Sequence, residues 1–188
     1  MPVVNVSLLK GYDIAVREAL GQALTNAVQQ VIAAPPEAIV VCLNELDTGN
    51  YYRGGIARRG GKPQQDAQTT VHEFLLAMQE RDLTRATSFL SADFTMTFPG
   101  NVSLTKLEDL VAWAKGRYEF VKKNFESFDT AIKPDHAVVH CHGTLYGKWL
   151  DGSTFEGIRF IDRFEIRDGL LVRQQVWNDM NTISRDPS

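Results

Sequence analysis

Apolar residues run along this chain in two rhythms, and the rhythms divide it. Near the start Val4 and Val6 alternate with Val3, Asn5 and Ser7, which predicts a strand. Over residues 13–33, Ile14, Val16, Leu20, Leu24, Val28, Val31 and Ile32 recur near helical spacing and predict one helix. Ala34-Pro35-Pro36 stops it, because proline cannot continue the hydrogen-bond ladder. Residues 38–43 form an unbroken apolar run, the mark of a buried strand in a parallel pair. Asn50 to Ile56 follows, with Gly54-Gly55 as a tight turn into a short hairpin. The result is a small βαβ unit over residues 1–60 with a proline, Pro2, at its tip.

The rhythm then stops. Residues 58–65 concentrate glycine, proline and charge, so a linker is expected at 61–65 and a second domain over 66–188, its elements ending near 181. That domain opens on a helix with Val71, Phe74, Leu75 and Met78 on one stripe, ending near Arg81-Asp82. A short helix is predicted over 83–90 and a strand over 92–98, stopped by Pro99-Gly100. A third helix is predicted over 107–123, with Leu107, Leu110, Val111, Ala114, Tyr118 and Val121 inward. Strands follow at 125–133 (or on to 150 with a bend near Pro134), 153–167 and 170–180, with hairpin turns at Asp151-Gly152 and Asp168-Gly169. Helices first and an antiparallel meander afterwards is an α+β pattern.

Bulk properties narrow the classes. A hydrophobic content of 44% and a charged content of 23% are ordinary for a globular protein. The net charge of −3 gives no general attraction to nucleic acid or to a membrane surface. Cys42 and Cys141 lie in apolar runs and read as buried thiols, which fits a reducing compartment. With no signal peptide and no bilayer-length apolar run, a cytoplasmic location is expected. No Walker loop, dinucleotide fingerprint or zinc-ligand spacing is present, so neither cofactor nor metal is expected.

Pro2 carries the sharpest chemistry. Removal of Met1 leaves its nitrogen a free secondary amine, of a class with a reference pKa of about 7.7–8.0. Desolvation lowers such a value further, and a neutral amine at working pH serves as general base or nucleophile. The bland alternative is an ordinary second residue.

Residues 2–60 resemble a subunit of the 4-oxalocrotonate tautomerase family. The resemblance rests on Pro2, on Leu8-Leu9-Lys10-Gly11, on Ala34-Pro35-Pro36-Glu37, on Asn44-Glu45 and on Asn50-Tyr51-Tyr52-Arg53-Gly54-Gly55. It implies a catalytic terminal proline and a homo-oligomer, trimeric or hexameric, built on the N-terminal domain. It places an aromatic residue, here Tyr51, beside the proline, and Tyr12, Asn44 and Arg53 among the substrate-binding candidates. Two arginines that clamp dicarboxylates in the family are replaced here by Tyr12 and Val40. Bidentate carboxylate recognition needs an arginine fork, so a dicarboxylate substrate does not follow.

Residues 66–180 resemble the nuclear transport factor 2-like superfamily, in its SnoaL-like group, through Phe74 to Leu83, Phe89 to Gly100 and Phe160 to Gly169. This implies a cone-shaped α+β barrel, a scaffold that hosts isomerases, cyclases and plain binders. The ketosteroid isomerases share it. By position their oxyanion-hole aspartic acid falls on Asp162, their tyrosine donor on Phe74 and their base aspartate on Phe98. Asp162 stands alone among Ile158, Phe160, Phe164 and Ile166 on one strand face. Such a carboxylate takes a raised pKa or a buried partner, the plainer case being a structural group met by a backbone or arginine donor. His140 and His142 share a face, which suits a metal pair, a pocket acid or base, or a polar packed face. Phe74, Phe98, Trp113, Tyr118, His140, His142, Asp162, Gln174 and Asn178 are the candidates for lining a pocket in the cone.

Two readings of function stand side by side. One is proton transfer by Pro2 on a small enol or keto acid, with the cone binding the organic part or driving assembly. The other is a non-catalytic oligomer that binds a small molecule; a third seats cyclase or isomerase chemistry in the cone itself.

Overall fold

The computed structural model describes residues 1–61 and 66–182, so residues 62–65 of the expected linker lie outside the described residues. The chain forms two compact units, 1–64 and 65–188. Among the described residues no helix is long and apolar enough to cross a membrane.

The first unit contains β1 (Val3–Leu9), α1 (Ile14–Gln29), β2 (Val40–Leu46), β3 (Tyr52–Arg53) and β4 (Ile56–Ala57). β1 and β2 pair in parallel, from Val3 opposite Val40 to Leu9 opposite Leu46. The Asp13 carboxylate caps α1 by accepting the Val16 N–H at 2.9 Å. α1 stops at Gln29, four residues short of the predicted end; the β-branched Val31 and Ile32 lie in a turn instead, just ahead of the prolines. β2 begins two residues later than the apolar run suggested. Pro35 and Pro36 open a single 3₁₀ turn, whose bonds from Ala38 and Ile39 N–H hold those residues out of the ladder. Among the described residues of this unit only Ile39 is buried, and α1 buries none. Val3, Ile14, Val31 and Ile56 are exposed.

The second unit contains α2 (Ala67–Glu80), α3 (Leu83–Thr87), β5 (Leu90–Phe98), β6 (Val102–Leu104), α4 (Leu107–Lys115), β7 (Tyr118–Ile132), β8 (Ala137–Trp149), β9 (Thr154–Arg167) and β10 (Leu170–Asn178). The strands form one sheet in the order β6-β5-β10-β9-β8-β7, antiparallel except for the β5–β10 pair. The core lies on one face of that sheet, where Phe74 and Val71 of α2 meet Val139 and Leu145 of β8 and Phe160 and Phe164 of β9.

The helix expected over 107–123 ends at Lys115, capped by Gly116, and residues 118–123 belong to β7. Tyr118 and Val121 satisfy helical spacing, but Tyr118, Phe120 and Val121 also have the side chains of a strand, and β8 supplies a partner for each. β7 slips register against β8 between Tyr118 and Phe120 and again between Phe125 and Ser127. β8 slips against β9 between Leu145 and Gly147. Such bulges bend a sheet. Gly143 and Gly147 sit beside them on β8, where a Cβ would collide with the carbonyl oxygens of Asn124 and Phe120.

Candidate functional site

The bend in the sheet leaves a cavity under α2 and α4, in two lobes that share Phe98, Tyr118, Val121 and Lys123. The larger, of about 290 Å³, reaches Phe74 and Gln174. The smaller, of about 80 Å³, reaches Trp113, Asp162 and Asn178. Seven of the nine residues expected in the cone therefore line it. His140 and His142 do not. They share a face, as their spacing requires, but β8 turns Val139, Cys141 and Leu145 inward and so puts both histidines on the sheet's other side. There His142 Nε2 lies 3.8 Å from the Glu126 carboxylate.

The floor of the cavity is charged and paired. Asp162, 0% exposed, forms an ion pair with the Lys123 ammonium through Oδ2. The same oxygen accepts Gln174 Nε2 at 3.2 Å. The partner is therefore a lysine and a glutamine, not the arginine or backbone donor anticipated. Helical spacing over 107–123 hides Lys123; as part of β7 it points inward with Val121 and Phe125. Its ammonium also sits 4.3 Å from the centroid of the Phe160 ring. Asp162 Oδ1 and Gln174 Oε1 have no hydrogen-bond partner among the described residues. Burial, then the Asp162 charge, pushes the neighbouring Cys141 thiol up to about 12. Burial likewise raises the Tyr118 phenol above its ordinary value.

The walls are aromatic. Phe98 packs on Trp113 with ring centroids 5.4 Å apart, and the Arg117 guanidinium covers Trp113 at 4.5 Å. Exposed Arg81, Glu119 and Lys122 stand at the rim.

In the first unit Pro2 is half-buried at the start of β1, and its carbonyl accepts the Val40 N–H at 3.0 Å. Two of its expected companions, Asn44 and Tyr12, lie along the strand from it. Asn44 pairs with Ser7, four residues from Val40, or about 13 Å along the strand. Tyr12 follows the far end of β1. The hairpin bearing Tyr51 and Arg53 is rooted at that same far end, since it leaves from β2 and returns to Gly60, which packs on Leu9 and Lys10. One chain does not bring Tyr12 and Asn44 to Pro2.

Comparison with known proteins matches residues 2–59 to the tautomerase enzyme family and residues 71–174 to the SnoaL-like domain family. A probable tautomerase of Bacillus cereus is 38% identical over 55 residues, covering 29% of this chain and 90% of that protein. One of Streptococcus mutans is 34% identical over 61 residues, covering 32% of this chain and 100% of that protein. Among solved structures, TerC crystallised with polyporic acid aligns with a TM-score of 0.53 at 17% identity, over 62% of this chain and 93% of that one. An NTF2-like protein of unknown function from Burkholderia pseudomallei aligns with a TM-score of 0.52 at 17% identity, over the same 62% and 93%. At that identity the structural likeness establishes the fold of the second unit.

Proposed function

We propose, for a chain that belongs to the tautomerase family through residues 2–59 and to the SnoaL-like family through residues 71–174, that Pro2 moves a proton on a small enol or keto acid while the cone binds the organic part of a ligand. The observation that carries this is the match to tautomerases over nearly their whole length with Pro2 in place, held at the head of an apolar strand by the Val40 N–H. Once Met1 is removed, the amine accepts the enol hydroxyl proton and returns one to carbon, a transfer that suits a group titrating near neutrality. Arg53 holds the anion, and Tyr51 and Tyr12 shape the site.

Tyr12 and Asn44 lie away from Pro2 within one chain, so the complete site needs neighbouring copies. The absence of fully buried residues from α1, where Val16, Leu20, Leu24 and Val28 are only half-buried, supports the same reading, because an apolar face left partly open calls for a partner. A trimer or hexamer built on the first unit follows. Tyr12 and Val40 replace the usual clamps, so a monocarboxylate is the better substrate.

The test is enol-to-keto conversion of a phenylpyruvate-like acid by protein whose Met1 removal is verified by intact mass. Wild type is expected to exceed buffer, a dicarboxylate to be slower, and Pro2→Ala to lose at least about tenfold with its fold intact, a floor below the ~10²–10⁴-fold of an acid–base group because a primary amine remains. Equal rates for wild type and variant would instead favour a binding oligomer. The cavity favours ligand binding in the cone under either outcome, and TerC, of the same fold, was crystallised with polyporic acid.

A further inference from the structure

We infer that the cone takes a planar enolic or phenolic ligand, seated with its hydroxyl on the Asp162–Lys123–Gln174 floor. This rests on the cone being the ligand-binding part of the chain.

Among the described residues, both side-chain donors to the Asp162 carboxylate, the Lys123 ammonium and Gln174 Nε2, fall on Oδ2. Oδ1 is left idle in a side chain 0% exposed. An ionised carboxylate only accepts, so the amide of Gln174 must face it through nitrogen, which leaves Oε1 idle too in a residue 4% exposed. A buried acceptor without a donor is unfavourable, and a ligand that brings the donor removes the penalty. Lys123 has three ammonium protons and spends one on Asp162. A hydroxyl can therefore give its proton to Oδ1 and accept one from Lys123.

Other head groups fit worse. A carboxylate would face the idle Oδ1 charge, and an ammonium would face Lys123. A neutral hydroxyl meets neither repulsion, because Lys123 and Asp162 already cancel. The walls select the remainder of the ligand: Phe98, Tyr118 and Phe125 present ring surfaces to the larger lobe, whose volume of about 290 Å³ has room for two fused rings, while the hydroxyl reaches past Lys123 into the smaller lobe that Asp162 lines. An acidic substituent stays at the rim, where Arg81 and Lys122 outnumber Glu119.

The test is equilibrium dialysis of the full chain against 2-naphthol and against 2-fluoronaphthalene, which is similar in size and donates no proton. 2-Naphthol is expected to bind at least about tenfold more tightly, the scale of one buried hydrogen bond. In the double variant Lys123→Met, Asp162→Asn, which strands no charge, the two probes are expected to bind within about threefold of each other. Equal binding of both probes to wild type would overturn the inference and leave the cone a binder. Tighter binding of 2-naphthoate than of 2-naphthol would overturn the hydroxyl preference. Binding of none of the three would overturn both the inference and the ligand-binding reading. If circular dichroism shows the variant unfolded, the wild-type comparison alone decides.

Discussion

Cys141 and Asp162 stand opposite each other on β8 and β9, and what surrounds them sets how each behaves. The thiol is held neutral: burial first, then the carboxylate, raises its pKa from 9.0 to about 12. Its contribution to stability is complete below about pH 9 and is lost as the pH climbs through 9 towards 12, since the unfolded chain ionises the thiol first. At pH 8, iodoacetamide is therefore expected to leave Cys141 unmodified in folded protein and to alkylate it in urea, as read by peptide mass spectrometry. Equal labelling in both would contradict the buried placement. The apolar row around Asp162 was legible in the sequence, because alternate positions from Ile158 to Ile166 are apolar. Its lysine partner was not, because an ion pair between strands 39 residues apart leaves no local signal. The histidine pair shows the same limit. Spacing fixes that His140 and His142 share a face, but only packing of the neighbouring strands decides which face meets the core.

At the level of elements, the glycines of β8 let the sheet bend round the cavity. Gly147 lies beneath the Phe120 carbonyl, and a Cβ there would stand 2.7 Å from Phe155 Cζ. Gly147→Ala is expected to destabilise the second unit by about 1–3 kcal/mol, the range for forcing atoms into a filled site, as measured by thermal denaturation. An unchanged midpoint would mean that the strands can part without loss. Most elements could be read from periodicity, and the errors cluster where two periods coincide. Residues 118–123 fit a helix stripe and a strand equally well, and the choice was made by β8. The three-residue β6 is too short to show any period at all.

For the whole molecule, the contrast between the units matters most. The second has a continuous core; the first buries only Ile39 among its described residues and leaves Val3, Ile14 and Val31 exposed. Sedimentation is expected to show a trimer or hexamer at micromolar concentration, with a melting temperature that falls on dilution. A stable monomer whose melting is independent of concentration would contradict assembly through the first unit. The sheet order carries a further consequence. β10 is the last described strand along the chain, yet it lies between β5 and β9 and alone joins β5–β6 to the remaining strands. On a ribosome that emits residues in order, β1 to β4 are all available long before β10 exists. Nascent chains can thus begin to find one another through their first units while every cone is still in two unjoined pieces, and the cavity comes into being only once β10 has emerged.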